Sequence, residues 1–148
     1  MNTEAMNTET ITTPAITTPT GAGTQAAQKT PAVFSPDAFR RAAEERDAAA
    51  LLAMYTEDVE VVIVDREAQP SCPRVLHGRG ELATYLHDVC GRDMTHKIDR
   101  FVFGGDGAAY LESCAYPDGT KVRCAAVLDL RDGRIARQSG VQAWDSTN

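Results

Sequence analysis

The 148-residue sequence lacks long apolar runs, a surplus of basic residues and closely spaced cysteines. No run approaches the roughly 20 apolar residues that a membrane helix needs, and no basic segment followed by an apolar stretch marks a secretory signal. The chain has 15 Lys plus Arg and 21 Asp plus Glu, a net charge of -6. It therefore lacks the excess of basic residues with which proteins bind the phosphates of nucleic acids. We therefore expect a cytoplasmic protein that binds neither membrane nor nucleic acid.

Cysteine and histidine are too scattered for a familiar metal site. The four cysteines contain no CxxC pair, and with three histidines in the chain no zinc template fits. Cys114 and Cys124 are predicted to lie on neighbouring strands as reduced thiols. The glycine-rich segment 104–107 lies between two strand-like runs, whereas a phosphate loop should open a helix. We expect no metal and no cofactor.

Residues 1 to 33 differ in composition from the rest of the chain. They are dominated by Thr, Pro, Ala and Gly and hold few large apolar side chains. Such a segment cannot bury enough surface to offset its ordering entropy, so we predict a disordered tail. The predicted folded domain is 34–148, which is one domain by size.

Helical and strand-like patterns alternate after the tail. Ser35 followed by Pro36 predicts the start of a helix, and Asp47 predicts the cap of a second helix running to Tyr55. Asp-Gly pairs mark the last two hairpin turns. The remaining predicted elements are a helix over 78–90 and strands over 59–64, 96–103, 108–116, 121–131 and 134–144. The fold class is α+β, with a four-strand meander and an early strand packed on about three helices.

Three stretches in fixed order carry a family resemblance. They are FRRAAEERDAAALLAMYTEDVEV (39–61), LHGRGELATYL (76–86) and LRDGRIARQ (130–138). Together they resemble the nuclear transport factor 2-like superfamily, specifically its SnoaL-like branch, over about residues 35–145. The resemblance implies a cone-shaped fold whose curved sheet encloses a pocket. Its members include ketosteroid isomerases, polyketide cyclases and non-catalytic binding domains, so the fold alone does not settle the function.

Alternation along the predicted strands indicates which side chains face the pocket. If Asp132 and Gly133 form a two-residue turn, Leu128 pairs with Arg137 and both face inward. The inward face then combines apolar side chains with His96, Arg100, Tyr110, Glu112, Tyr116, Arg137 and Asp145, and Tyr55 approaches it from the helices. The opposite, wetter face takes Lys121, Arg123, Asp129, Arg131, Gln138 and Trp144.

Ionisable groups in an apolar pocket are typical of acid–base sites. His96 is predicted as the general acid or base and Glu112 as its catalytic partner, while Arg100 or Arg137 stabilises an enolate or a substrate carboxylate. The predicted ligand-binding residues are Tyr55, Arg100, Tyr110, Tyr116, Arg137 and Asp145. In the alternative interpretation, Arg100 and Glu112 form an internal salt bridge and His96 is structural.

The catalytic sets of the resembling families match only in part. The ketosteroid isomerase carboxylate, tyrosine and protonated aspartate fall on Ile63, Phe39 and Ala126, which are apolar, so that chemistry is excluded. The Arg-x-Asp step of the epoxide hydrolases does not occur in the chain. Scytalone dehydratase has a first histidine that matches His96 and a second histidine where this chain has Glu112.

These observations favour a domain that binds a hydrophobic small molecule. The candidate activity is cofactor-independent isomerisation, dehydration or aldol cyclisation of a carbonyl compound, polyketide-like or terpenoid-like. The alternative is a non-catalytic ligand-binding or assembly domain of the same fold. A lone exposed tryptophan, Trp144, with Gln138 and Arg123 on the outer sheet face, predicts a homodimer interface there.

Overall fold

The computed structural model describes residues 32–146, which form three helices and one six-stranded sheet. In chain order the elements are α1 (Pro36–Glu44), α2 (Ala48–Leu52), β1 (Tyr55–Val64), β2 (Arg74–His77), α3 (Gly78–Gly91), β3 (Thr95–Phe103), β4 (Gly107–Ala115), β5 (Lys121–Arg131) and β6 (Arg134–Trp144). The predicted α+β fold class is confirmed. The predicted disordered tail, residues 1–33, lies outside the described residues except for its last two positions.

Both predicted helix caps are present. The Ser35 hydroxyl accepts a hydrogen bond from the Ala38 amide at 3.0 Å, and Asp47 accepts one from the Ala50 amide at 3.0 Å, which satisfies amides that have no partner inside the helix. The second helix ends earlier than predicted, because Tyr55 already belongs to β1 and pairs with Ile135. The short edge strand β2 pairs antiparallel with β1.

The sheet has the strand order β2-β1-β6-β5-β4-β3. Strands β3 to β6 form the predicted antiparallel meander, and β1 runs parallel to β6. The helices cover the inner face of the sheet, and the core lies between these two layers. Its most deeply buried side chains include Met54, Val59, Leu82, Leu128 and Ile135. No helix within residues 32–146 is long and apolar enough to cross a membrane.

Two β-bulges reverse part of the predicted facing. Ile98 pairs with Glu112 but Arg100 pairs with Leu111, so Asp99 is an extra residue in β3. Leu130 pairs with Ile135 as predicted, but Asp129 then pairs with Arg137, so Ala136 is an extra residue in β6. An extra residue exchanges the two faces for the rest of the strand. The inward facing predicted for Arg100 and Arg137 is therefore wrong.

The same reversal moves other side chains of β6. Gln138 and Trp144, predicted on the outer face, turn inward and line the space between sheet and helices. Val141 of the same strand is 55% exposed. The predicted homodimer face of Trp144, Gln138 and Arg123 is therefore wrong in two of its three residues. Of these, Arg123 alone lies on the outer face as expected.

Cys114 and Cys124 lie on neighbouring strands of the inner face, as predicted. Cys114 pairs with Val122 and Cys124 pairs with Glu112, which places the two thiols diagonally across β4 and β5. Neither sulfur is in a disulfide, and the other two cysteines of the described chain are also unpaired.

Candidate functional site

An apolar cavity of about 130 Å³ lies between the inner sheet face and the three helices. We call it the inner cavity. Its size is close to that of an engineered cavity of about 150 Å³ that binds benzene. Apolar side chains dominate its walls: Phe39, Ala43, Leu51, Ile63, Leu86, Val89, Met94, Val122 and Ala126. A second space of about 450 Å³, the outer pocket, shares Tyr85, Arg92, Gln142 and Trp144 with it.

His96 and Glu112 form a buried polar pair on this wall. His96 Nδ1 lies 2.7 Å from Glu112 Oε1, and the two side chains are 7% and 12% exposed. A carboxylate can only accept, so the tautomer that satisfies this contact has its proton on Nδ1 and a lone pair on Nε2. His96 Nε2 is buried and has no hydrogen-bond partner within the described residues. The pair therefore offers one unpartnered imidazole nitrogen in an apolar site.

The Cys114 thiol completes a triangle with this pair. Its Sγ donates to Glu112 Oε1 at 3.0 Å and lies 3.4 Å from His96 Nδ1. Contact with the Cys124 thiol, burial and the Glu112 carboxylate all raise the pKa of the Cys114 thiol. The thiol is therefore a poor nucleophile in this environment. The three ligating atoms lie close enough together to hold a metal ion.

A glutamine on β6 links two buried tyrosines. The Tyr55 hydroxyl donates to Gln138 Oε1 at 2.6 Å, and Gln138 Nε2 donates to the Tyr110 oxygen at 3.5 Å. The hydroxyl proton of Tyr110 has no acceptor among the hydrogen bonds of the described chain. Burial and the Glu112 charge raise the pKa of Tyr110 well above its ordinary value. Tyr110 is therefore a neutral hydroxyl with a proton to donate.

A similar arrangement repeats four residues further along β6. Trp144 Nε1 donates to Gln142 Oε1 at 3.1 Å, and Gln142 Nε2 donates to the Tyr85 oxygen at 3.3 Å. Trp144 also stacks on Tyr116 with 5.9 Å between ring centroids, and the Arg66 guanidinium lies 4.1 Å above the Trp144 ring. This stack stands where the inner cavity and the outer pocket share their walls.

The structure brings together some of the predicted site residues and disperses the others. His96, Glu112, Tyr55 and Tyr110 line the inner cavity, whereas Tyr116 lines the outer pocket and contacts Arg92. Their roles in binding or catalysis stay predictions.

Three predicted ligand-binding residues lie away from the cavity. The Arg137 side chain is 58% exposed and lies 3.6 Å from Glu60, and Arg100 is exposed on the outer face. Asp145 is exposed and accepts a hydrogen bond from the Lys121 amide at 2.9 Å, at the end of the last hairpin. The two bulges explain why both arginines face away from the cavity. The hydrogen bond from the Lys121 amide explains why Asp145 lies at the end of the hairpin.

Sequence reasoning missed Gln138 and Gln142, the residues that hold the cavity tyrosines. Because the two glutamines are four residues apart on one strand, the sequence indicates that both lie on the same face of the sheet. It does not indicate that this face is the inner one, because that depends on the extra residue at Ala136. No glycine or proline marks that bulge in the sequence.

Comparison with known proteins agrees with this architecture. A family model described as a SnoaL-like domain matches residues 37–138. Among curated proteins, none matches the chain. An NTF2-like protein of unknown function from Mesorhizobium loti has a TM-score of 0.63 at 19% identity, over 71% of this chain and 84% of its own.

Two further solved structures show the same fold. An NTF2-like protein of unknown function from Burkholderia xenovorans has a TM-score of 0.61 at 17% identity, over 76% of this chain and 81% of its own. A protein with a ketosteroid isomerase-like fold from Catenulispora acidiphila, solved with trimethylamine, has a TM-score of 0.54 at 16% identity, over 72% and 85%. At these identities the similarity concerns the fold alone.

Proposed function

The chain belongs to the SnoaL-like domain family, and we propose that its inner cavity binds a small uncharged carbonyl compound and moves a proton on it. The observation that carries the proposal is the unpartnered Nε2 of His96, whose other nitrogen is held by Glu112 at 2.7 Å. A base held in one tautomer by a carboxylate is a recurring catalytic arrangement. Isomerisation and dehydration of a ketone both begin with such a proton transfer.

The proposed chemistry starts on the carbon next to the carbonyl. His96 Nε2 removes a proton from that carbon, and the Glu112 carboxylate stabilises the imidazolium that forms. The negative charge moves to the carbonyl oxygen as the enolate develops. In an isomerisation the imidazolium then gives the proton to another carbon of the conjugated enolate. In a dehydration it gives the proton to the β-hydroxyl group, which leaves as water as the carbonyl re-forms.

Tyr110 is the proposed donor to the enolate oxygen. It takes the role that the sequence predicted for Arg100 or Arg137, both of which lie outside the cavity. Its hydroxyl proton is unused, and its raised pKa keeps that proton in place. A fixed donor in a water-poor site stabilises developing charge more than water does. Tyr110 also lies two residues from Glu112 on the inward face of β4.

The inner cavity limits the size of the ligand. At about 130 Å³ it has room for roughly one six-membered ring, by comparison with the benzene-sized cavity above. A polycyclic polyketide would exceed it, so we propose a monocyclic or acyclic compound.

The scarcity of basic side chains in the inner cavity limits the charge of the ligand as well. Among the described residues that line the inner cavity, Arg92 is the one lysine or arginine, and its guanidinium already binds Asp88 and Tyr116.

We expect 4-oxocyclohexanecarboxamide to bind at least about tenfold more tightly than the isosteric carboxylate, because an unpaired anion loses hydration without gaining a partner. Calorimetric titration at neutral pH measures both affinities. Tighter binding of the carboxylate would contradict the proposed ligand class.

Exchange of α-protons tests the proposed chemistry without knowledge of the natural substrate. A panel of cyclic and acyclic ketones is incubated with the protein in D₂O, and loss of the α-proton signals is followed by NMR. The proposal expects at least one neutral ketone to exchange faster than in buffer. If ketones bind in the cavity but none exchanges faster, the acid–base proposal is wrong and the alternative of a non-catalytic binding domain stands.

The same chain is proposed to work in the cytoplasm. Its four unpaired cysteines suit a reducing compartment. Its net charge of -6 does not favour nucleic acid as a partner.

We also propose that the chain is a homodimer, through an outer apolar patch. We define this patch as Val102, Leu111, Val127 and Val141, which are 58%, 36%, 58% and 55% exposed. They lie on neighbouring strands of the outer face, and exposed apolar clusters commonly mark protein interfaces.

Val127→Glu is expected to convert the dimer into a monomer, because it places a charge in the middle of the outer apolar patch. Sedimentation velocity at tens of micromolar reports the change. Val33→Glu, at an exposed position outside the patch, is the matched control and should stay dimeric. A wild-type monomer at that concentration would contradict the proposal.

A further inference from the structure

We propose that His96, Glu112 and Cys114 form a binding site for one divalent transition-metal ion of the zinc type. The site lies on the wall of the inner cavity, and all three side chains line that cavity. The inference stands on the positions of three ligating atoms and does not rest on the proton-transfer function proposed above.

The three atoms already form a triangle of nearly the required size. His96 Nδ1, Glu112 Oε1 and Cys114 Sγ are separated by 2.7, 3.0 and 3.4 Å. A tetrahedral zinc ion with bonds of about 2.0 Å to nitrogen and oxygen and about 2.3 Å to sulfur holds its ligands roughly 3.3–3.5 Å apart. The ion therefore requires the carboxylate oxygen to move outward by about half an ångström.

The chemistry of the donors selects the class of ion. Imidazole nitrogen and thiolate sulfur favour zinc and its neighbours, whereas magnesium and calcium prefer oxygen ligands. A bound zinc-type ion displaces the thiol proton and places its charge beside the Glu112 carboxylate. Three protein ligands leave a fourth position for water or another small ligand.

Strand pairing explains why the spacing of the sequence did not reveal the site. His96 on β3 pairs directly with Cys114 on β4, and Glu112 lies two residues away on the same face of β4. Neighbouring strands thus bring together ligands that are 16 and 18 residues apart. The familiar zinc templates depend on short spacings within a loop or helix.

Metal binding and the proposed proton transfer exclude each other. Without a metal, the hydrogen bond from Nδ1 to Oε1 leaves Nε2 of His96 with a lone pair. An ion bound to Nδ1 and Oε1 replaces that hydrogen bond. The metal-bound ring then carries its proton on Nε2, which can no longer accept one. We therefore expect a zinc-type ion to inhibit ketone exchange in proportion to its occupancy of the site.

Cobalt titration of the reduced, metal-free full chain, in the absence of any ketone, tests the site. The expected result is one equivalent of Co²⁺ bound with a sulfur-to-cobalt charge-transfer absorption, and displacement of the cobalt by Zn²⁺. A folded wild-type chain that shows no such absorption would overturn the proposal. Because no ketone is present, this result is separate from the success or failure of the proton-transfer proposal.

Matched variants identify the ligands. His96→Gln, Glu112→Gln and Cys114→Ser should each weaken Co²⁺ binding at least roughly 100-fold, because loss of an outer partner of a ligand already costs about 10–100-fold. Cys72→Ser, at an exposed thiol, should leave the affinity unchanged. Glu112→Gln nearly preserves shape, so it decides the question if Cys114→Ser fails to fold by circular dichroism. Loss of the absorption in Cys72→Ser, with Cys114→Ser unaffected, would overturn the assignment.

Discussion

His96→Gln is expected to lower the rate of α-proton exchange on an accepted ketone by roughly 10²–10⁴-fold, the usual contribution of a positioned acid or base. Glutamine keeps the length and polarity of the side chain but cannot take a proton at neutral pH. Its amide can still donate to Glu112, which now accepts from His96 Nδ1 at 2.7 Å. The fold should therefore survive, and the loss should appear in the rate per folded molecule.

The matched control is His87→Gln, the same substitution at an exposed position of α3. Its exchange rate should equal that of the wild-type chain. Tyr110→Phe removes the proposed donor to the enolate oxygen and should slow exchange with little effect on ketone binding. If His96→Gln lowers the melting temperature while the rate per folded molecule is unchanged, His96 is structural and the base assignment is wrong.

Leu128→Ala is expected to destabilise the domain by about 2–5 kcal/mol, the range observed for leucine truncations that leave a cavity. Leu128 is 0% exposed and lies in the centre of β5, where it pairs with Ala108 and Gln138. The loss is a large part of the roughly 5–15 kcal/mol by which a typical domain is stable. Urea unfolding should show a lower midpoint with an unchanged slope.

The neighbouring residue provides the control. Asp129 follows Leu128 on the same strand but faces outward and is exposed, so Asp129→Ala should change stability by no more than about 0.5 kcal/mol. Equal losses for the two variants would mean that the inward and outward faces of β5 are assigned incorrectly.

Local signals were sufficient to predict most of the elements. The caps at Ser35 and Asp47 were readable because each side chain bonds an amide three residues ahead. The Asp132-Gly133 turn was readable because Asp-Gly pairs favour tight hairpins, and Leu130 pairs with Ile135 as expected. On β4 and β5 the simple alternation holds, so Glu112 and Tyr110 were placed correctly on the inner face.

The sequence could not predict which side chains of β3 and β6 face inward once the strand has passed its bulge. One extra residue at Asp99 and one at Ala136 exchange the two faces of everything that follows. Such bulges arise from how a curved sheet fits around the helices, which is a property of the whole domain. The errors at Arg100, Arg137 and Trp144 share this cause.

The exchange of faces changes the predicted chemistry of the cavity. With Arg100 and Arg137 inward, the site would favour a substrate carboxylate. In the structure, His96 and Glu112 are paired with each other, beside tyrosines and glutamines, which is why we propose an uncharged ligand. The proposed substrate class thus depends on the two extra residues, Asp99 and Ala136.

The most direct test of this account is a crystal structure of the protein with a neutral ketone that it exchanges. The account predicts the ring of the ketone in the inner cavity against Ala126 and Leu86, its α-carbon beside His96 Nε2 and its oxygen within hydrogen-bond distance of the Tyr110 hydroxyl. A ketone bound outside the inner cavity, or one whose α-carbon lies beyond the reach of His96, would contradict it.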